Sequence, residues 1–240
     1  MTAIEMPKRA MVLAAGRGKR MRPLSDTVPK PLLAVAKRTL LERTLDRLTA
    51  AGIEDVVVNL HHLGDRIRQQ LDGRDDLRIH YSEEPELLET GGGLLKALDY
   101  FEGAPFFVAN GDVLWQDGES SALLRMAEAW DATTMDGLLL VQALARATGY
   151  DGKGDFEMGA GGRLARRAGM SAPYVFTGVQ LLHPRLFAES PQGPFSLNLL
   201  YDRAIAAGRL FGLAHEGTWY HVGTVDGLKR AEARFRESPA

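Results

Sequence analysis

Short apolar runs alternate with helical patterns along most of the chain. The runs at residues 10–15, 56–58 and 105–109 have the length of buried strands. Between them, Leu63, Ile67 and Leu71 recur at the four-residue interval of a helix face. Strands that alternate with helices are joined by right-handed crossovers, which make the strands parallel and place helices on both faces. The sequence therefore predicts an α/β fold with a mainly parallel sheet.

The second half of the chain predicts further strands and a long final helix. A hairpin is predicted around the glycines at 159–162, and a helix at 225–236. The apolar stretch 174–182 predicts a strand that Gly178 interrupts. Because a glycine inside a strand weakens it, Gly178 indicates a β-bulge or a close ligand.

A basic, glycine-containing loop follows the first apolar run. Gly16 and Gly18 allow backbone amides to approach a ligand closely, and four cations surround them, namely Arg17, Lys19, Arg20 and Arg22. A tight turn with solvated charges is the simpler alternative. A dinucleotide site would need a glycine at Met21, and a Walker loop would need Ser or Thr at Arg20. The loop therefore favours a nucleoside triphosphate.

Composition narrows the class of protein. The 240 residues suit one domain, and a net charge of −2 excludes a general nucleic-acid binder. The chain has no cysteine, which excludes disulfides, thiolate metal sites and thiol nucleophiles. The run at 10–15 is too short for a signal peptide or a membrane span. We therefore expect a cytoplasmic enzyme without membrane contact.

The segment 13–24, followed by Pro29, Lys30 and Pro31, resembles the signature L-A-A-G-x-G-x-R-(L/M)-x-P-L…P-K-P of the sugar-1-phosphate nucleotidylyltransferases. The resemblance implies a Rossmann-like fold of the nucleotide-diphospho-sugar transferase type. It implies one domain, with a nucleotide-binding part at about 8–115 and a sugar-binding part at about 116–240. In this family a sugar-1-phosphate attacks the α-phosphate of an NTP, and Arg20 and Lys30 contact the phosphates.

The nucleotide site implied by the resemblance includes a second segment. Glu84 would accept a hydrogen bond from a ring N–H of the base. Uracil and guanine both have such a group, so Glu84 does not distinguish between them. The glycines at 91–93 indicate close approach by a ligand, with a flexible loop as the alternative. The predicted nucleotide-binding residues are Leu13, Ala14, Ala15, Gly16, Gly18, Glu84, Gly91 and Gly92.

A metal site is expected beside the phosphates. Asp112 follows a predicted strand, and a carboxylate at that edge can hold Mg²⁺. Asn110-Gly111 alone would indicate a hairpin. By resemblance Asp112 is catalytic together with Arg20 and Lys30. Relatives have a second Asp in W-x-D-x-G-T, where this chain has His221, a softer ligand that makes Mn²⁺ possible.

The resemblance places the sugar at Asn110, Asp155, Thr177 and Gly178. The Glu-Lys-Pro element of many relatives, whose Lys meets the sugar phosphate, is absent. It stays open whether an arginine replaces this Lys or whether the arginines are solvated charges. The candidates are Arg163, Arg166 and Arg167.

Within the family, the segments 88–93, 154–156 and 178–184 resemble those of members that use UTP and N-acetylmuramate-1-phosphate. This resemblance implies the same substrates here and a role in peptidoglycan recycling. GTP with mannose-1-phosphate is the alternative pair. If His221 abolishes metal binding, a catalytically silent, nucleotide-sugar-binding regulator is the alternative of another class. The expected partners are small-molecule substrates, and monomer and dimer both stay open.

Overall fold

The computed structural model of the protein describes residues 6–237. The strands are β1 (Arg9–Leu13), β2 (Ala34–Val35), β3 (Arg38–Thr39), β4 (Asp55–Leu60), β5 (Arg78–Glu83), β6 (Phe106–Asn110), β7 (Leu114–Gln116), β8 (Gly137–Ala143), β9 (Phe156–Met158), β10 (Leu164–Arg166), β11 (Tyr174–Leu182), β12 (Leu210–Ala214) and β13 (Thr218–Tyr220). The helices are α1 (Leu24–Thr27), α2 (Leu40–Ala50), α3 (Gly64–Leu71), α4 (Glu89–Lys96), α5 (Ala122–Ala129), α6 (Asn198–Ala206) and α7 (Val225–Glu237).

A nine-stranded sheet forms the centre of the molecule. Its core is the parallel group β6-β1-β4-β5, which confirms the predicted parallel arrangement for the first half of the chain. β11 then runs antiparallel to β6 and to β8, and β12 is parallel to β8. The sheet is therefore mixed, with its parallel strands ending at one edge.

Helices cover both faces of the sheet, as predicted. Alternate residues of β1 enter different cores: Ala10 and Val12 pack with α2, α3 and α5, whereas Met11 packs with α4 and α6. This alternation follows from the two-residue period of a strand. A third apolar cluster joins α7 to the loop after β1 through Phe235 and Met21, both buried.

The start of α2 shows how local sequence fixes an element. Thr39 and Glu42 form a reciprocal capping box: the Thr39 hydroxyl accepts a hydrogen bond from the Glu42 amide at 3.1 Å, and the Glu42 carboxylate accepts one from the Thr39 amide at 2.9 Å. Such caps stabilise a helix by about 1 kcal/mol. The helix that begins at this cap runs from Leu40 to Ala50.

The later elements also follow the sequence. β9 and β10 pair as the predicted hairpin, and β11 has the predicted irregularity, because its register against β8 shifts between Phe176 and Gln180. No helix within residues 6–237 is long and apolar enough to cross a membrane.

Candidate active site

Two cavities meet where the parallel strands end. The first, here called the loop cavity, has a volume of about 240 Å³ and lies against the basic loop. The second, the strand cavity, has a volume of about 200 Å³ and lies against β11 and β13. Both are lined by the same four residues, namely Arg20, Lys30, Asp112 and Gly223. A larger cavity of about 400 Å³ lies at the opposite ends of the strands and contains none of the predicted site residues.

An ion pair between Lys30 and Asp112 stands at the boundary of the two cavities. The ammonium group donates a hydrogen bond to the carboxylate, and their side chains are 13% and 31% exposed. Lys30, which lies between Pro29 and Pro31, is the first residue of a short 3-10 turn. Asp112 follows the end of β6. Arg20 adds an exposed cation to the same boundary. The structure thus brings the three predicted catalytic residues together.

Gly18 permits this arrangement. It has φ of +59°, and a Cβ there would lie 3.2 Å from the Cβ of Lys30 and 3.1 Å from that of Ser25. The Ser25 hydroxyl also donates to the Gly18 carbonyl at 2.8 Å. A larger residue would therefore push the Lys30 segment away from the loop. Of the loop residues predicted to bind nucleotide, Leu13, Ala14, Gly16 and Gly18 line the loop cavity, whereas buried Ala15 does not.

All four residues predicted for the sugar line the strand cavity, namely Asn110, Asp155, Thr177 and Gly178. Asp155 accepts a hydrogen bond from the Phe176 amide at 2.9 Å, which holds the irregular part of β11. Gly178 has φ of +94°, and a Cβ there would lie 2.8 Å from Asn110 Nδ2. The Thr177 hydroxyl already donates a hydrogen bond within the chain, to the Leu140 carbonyl at 2.8 Å.

His221 lies in the strand cavity with Lys30, Arg20 and Asp112. Burial lowers the pKa of the imidazole, and the cations Lys30 and Arg20 lower it further. The ring is therefore neutral near pH 7, the form that can bind a metal. Tyr150 contacts it edge-on, with ring centres 5.3 Å apart and an angle of 76° between the planes.

Sequence reasoning missed the aromatic part of this cavity. Tyr150 and Phe176 line it, as does Trp219, whose indole N–H donates to the Thr177 carbonyl at 2.9 Å. Burial raises the pKa of the Tyr150 hydroxyl. Trp219 lies inside the motif W-x-D-x-G-T, but no pattern marks Tyr150, because its loop reaches the site through contacts such as the pairing of Thr148 with Tyr220.

The segment predicted to bind the base lies outside both cavities. Glu84 is 3% exposed, and its carboxylate accepts hydrogen bonds from Asn59 Nδ2 at 2.7 Å and from the Leu88 amide at 2.9 Å. Gly91 packs against Phe195, where a Cβ would lie 2.2 Å from the ring. A Cβ at Gly92 would lie 2.5 Å from the Gly193 carbonyl. These glycines thus serve packing within the chain, and base contact by the segment stays a prediction.

None of the three candidate arginines lines either cavity. Arg163 lies over the Phe211 ring, and Arg166 forms an ion pair with Asp202 at 2.7 Å. Arg167 donates to the Gly154 carbonyl at 2.9 Å, beside Asp155. Among the predicted residues, Arg20 and Lys30 are the cations that lie at the boundary of the two cavities.

The site therefore consists of two adjoining cavities that share the cations Arg20 and Lys30 and the carboxylate of Asp112. Residues 9–164 match the nucleotidyl transferase family. The chain belongs to this family, and within it to the sugar-1-phosphate nucleotidylyltransferases.

Two relatives and one solved structure show how the similarity is distributed. The N-acetylmuramate alpha-1-phosphate uridylyltransferase of Caulobacter vibrioides is 42% identical over 98% of this chain and 99% of its own. A mannose-1-phosphate guanyltransferase beta-B of Xenopus laevis is 27% identical over 90% of this chain and 61% of its own. A UDP-glucose pyrophosphorylase complexed with UDP-glucose has the same fold, with a TM-score of 0.81 over 97% of this chain and 100% of that chain at 16% identity. The predicted Rossmann-like fold of this transferase type is confirmed.

Proposed function

We propose that the protein condenses UTP with N-acetylmuramate-1-phosphate to give UDP-N-acetylmuramate and pyrophosphate, a step in peptidoglycan recycling. The observation that carries the proposal is the pair of cavities that meet at Lys30, Asp112 and Arg20. One cavity lies against the glycine loop, and the other holds the residues predicted for the sugar. The name of the relative that is 42% identical supports this pair of substrates.

The reaction needs little covalent help from the protein. A phosphate oxygen of the sugar-1-phosphate attacks the α-phosphorus of UTP, and the bond from that phosphorus to the oxygen bridging the β-phosphate breaks. Pyrophosphate leaves with the electron pair. In this proposal Lys30 and Arg20 offset the negative charge that gathers at the cavity boundary, and the two cavities align attacking and leaving oxygens. In the same proposal the nucleotide is held mainly by the part at about 8–115, and the sugar mainly by the part that begins at about 116 together with Asn110.

A divalent metal fits the donors at this boundary. Among residues 6–237 no group of three or more metal-binding side chains exists, so a protein cage is absent there. Mg²⁺ is held in many enzymes by one or two carboxylates together with substrate phosphates. Asp112 supplies the carboxylate, and neutral His221 supplies a softer donor that also suits Mn²⁺. When bound, the metal would neutralise phosphate charge and orient the phosphates.

A cytoplasmic location of the enzyme is part of the same proposal.

The two alternatives have less support. The guanyltransferase relative is more distant, at 27% identity, and this chain spans only 61% of its length. A catalytically silent regulator would not need the half-buried pair of Lys30 with Asp112 beside the exposed Arg20. This arrangement places two cations where a triphosphate would react.

The test is a grid of pyrophosphate-release assays with Mg²⁺ and then with Mn²⁺. UTP, GTP, CTP, ATP and dTTP are each paired with N-acetylmuramate-1-phosphate, mannose-1-phosphate and glucose-1-phosphate. We expect release with UTP and the muramate sugar. Release only with GTP and mannose-1-phosphate would support the first alternative, and silence with both metals would support the regulator.

A further inference from the structure

Asn59 is a buried polar residue to which sequence reasoning gave no role. It lies near the carboxyl end of β4, beside Leu13 of β1, and is 3% exposed. Its Oδ1 accepts a hydrogen bond from the Ala14 amide at 2.7 Å, and its Nδ2 donates to Glu84 Oε1 at 2.7 Å. Both polar ends of the side chain are therefore engaged. Only this orientation of the amide works, because an N–H donor faces one end and a carboxylate faces the other.

The bond to Ala14 fixes one peptide group of the nucleotide loop. The carbonyl of Leu13, on the same peptide, accepts a hydrogen bond from the Gly111 amide at 2.9 Å. The peptide between Leu13 and Ala14 is thus held on both sides, by Asn59 and by the residue before Asp112. Because a peptide is planar, these two bonds set the direction in which the chain enters the loop cavity.

Glu84 carries the same network to the segment before α4. Its second oxygen, Oε2, accepts the Leu88 amide at 2.9 Å. Gly93 lies against the pair, since a Cβ there would lie 2.6 Å from Glu84 Oε1 and 3.0 Å from Asn59 Nδ2. The third glycine of residues 91–93 is therefore explained by this buried contact. One chain of hydrogen bonds connects the loop after β1 to the segment that the resemblance assigns to the base.

We propose that Asn59 is a positioning residue for the nucleotide: it orients the loop wall at Ala14 and, through Glu84, the segment at Leu88. Removing it leaves the Ala14 amide and a buried carboxylate oxygen without their partner, so the loop relaxes from the geometry that binds the triphosphate. This proposal rests on the proposed function for its kinetic test, although the hydrogen bonds themselves do not depend on the substrate.

The experiment exchanges the roles of the two buried side chains. Asn59→Leu keeps the approximate shape but removes both bonds. In the double variant Asn59→Asp/Glu84→Gln, Asp accepts from the Ala14 amide and from the new Gln, whose own oxygen accepts from Leu88. The double variant thereby has all three hydrogen bonds and the single negative charge of the wild type. The difference is that position 84 now donates the bond to position 59. Asn198→Leu, at the exposed start of α6, is the control for the first substitution.

We expect Asn59→Leu to raise the KM for the nucleotide about ten-fold, with kcat and the KM for the sugar phosphate within about two-fold of wild type. The double variant should return the nucleotide KM to within about three-fold of wild type. Glu84→Gln alone separates this role from direct base contact. If Glu84 itself bound the base, the single Glu84→Gln variant and the double variant would be equally impaired, and the proposal would be overturned.

Two further outcomes would also contradict the positioning role. One is an unchanged nucleotide KM in Asn59→Leu, and the other is a parallel change in kcat and both KM values, as expected of general misfolding. If wild type turns over none of the substrate pairs, the proposed function fails, and amide hydrogen exchange at Ala14 then decides the matter without any substrate. Exchange there should quicken in Asn59→Leu and slow again in the double variant.

Discussion

Lys30 and Asp112 neutralise each other in the structure, and a triphosphate with its metal would replace that pairing. The cation and the carboxylate would then act on different groups. We expect Lys30→Ala to lower kcat by about ten-fold or more, because charge developing at the α-phosphate would lose its nearest cation. Asp112→Ala should have an effect of the same size. Pyrophosphate release at saturating substrate measures both, with Lys229→Ala, at an exposed position of α7, as the control. Unchanged turnover in either site variant would contradict the assignment.

His221 stands at the position where the motif W-x-D-x-G-T, by which the sequence resembles the family, predicts a carboxylate. Its neutral imidazole binds softer cations better than Mg²⁺, so the wild-type protein should use Mn²⁺ at least as well as Mg²⁺. We expect His221→Asp to lower the ratio of turnover with Mn²⁺ to turnover with Mg²⁺. Calorimetric titration with Mn²⁺ in the presence of nucleotide gives a second measure of the same preference. An unchanged ratio in the variant would place His221 outside the metal site.

What the sequence could reveal about single residues depended on whether a spacing marked them. Arg20, Lys30 and Asp112 belong to patterns with a chemical meaning, and the structure brings them together. Asn59 and Tyr150 belong to no such pattern. Asn59 is one amide after three valines, and its importance lies in a carboxylate 25 positions away. Contacts of this kind form only when the chain has folded, which is why sequence reasoning could not find them.

The irregular strand β11 is the element on which the strand cavity depends. Its bulge turns the chain at Gly178, whose φ of +94° and contact with Asn110 leave no room for a side chain. Gly178→Ala should strain this turn by an amount on the order of 1 kcal/mol. If this strain weakens sugar binding by the same amount, the KM for the sugar phosphate rises about five-fold. The KM for the nucleotide should change less.

Gly161→Ala is the matched control for this substitution. Gly161 also has a positive φ, of +70°, but a Cβ there would meet nothing within 4 Å. Steady-state kinetics of both variants, with each substrate varied in turn, separate strain at the cavity from strain in an exposed hairpin. Equal effects in the two variants would show that the bulge has no special role in sugar binding.

Helices and strands were predictable where the hydrophobic periodicity was strong. The structural role of a residue within them was not always the predicted one. The interrupted strand and the hairpin before it follow directly from their glycines and apolar runs. The glycines at 91–93 were interpreted as a place of ligand approach, whereas Phe195, Gly193 and Glu84 fill the space beside them. A glycine in a sequence signals close approach, but it does not say whether the approaching group is a ligand or the chain itself.

The direction of β11 is a feature of the whole molecule that the sequence could not supply. β6, β1, β4 and β5 are parallel, as expected from the helices between them, yet β11 enters between β6 and β8 in the opposite direction. Hydrophobic periodicity is the same for both directions. That antiparallel strand is what joins the halves of the chain, because it carries the strand cavity next to the end of β6.

Stability of the whole chain should depend on a histidine that lines neither of the two site cavities. His215 is 3% exposed, its Nε2 lies 3.1 Å from the Gln116 carbonyl, and burial lowers its pKa from the ordinary 6.5. The folded chain thus keeps this ring neutral at pH values where the unfolded chain has bound a proton. Since the unfolded state then binds more protons, the free energy of unfolding decreases as the pH falls below 6.5 toward the folded-state pKa.

We therefore expect His215→Gln, which retains an N–H donor, to reduce this loss. Between about pH 7.5 and about pH 5.5, wild type should lose more unfolding free energy than the variant, because only wild type carries the histidine whose pKa burial lowers. Urea unfolding at the two pH values measures the difference. Burial also lowers the pKa of His183 and of His221, but both are present in the two proteins, so their contributions cancel in the comparison. An identical pH dependence in wild type and variant would mean that His215 is protonated in the folded chain as easily as in the unfolded one, and that the strand pair β7 and β13 opens enough to admit the proton.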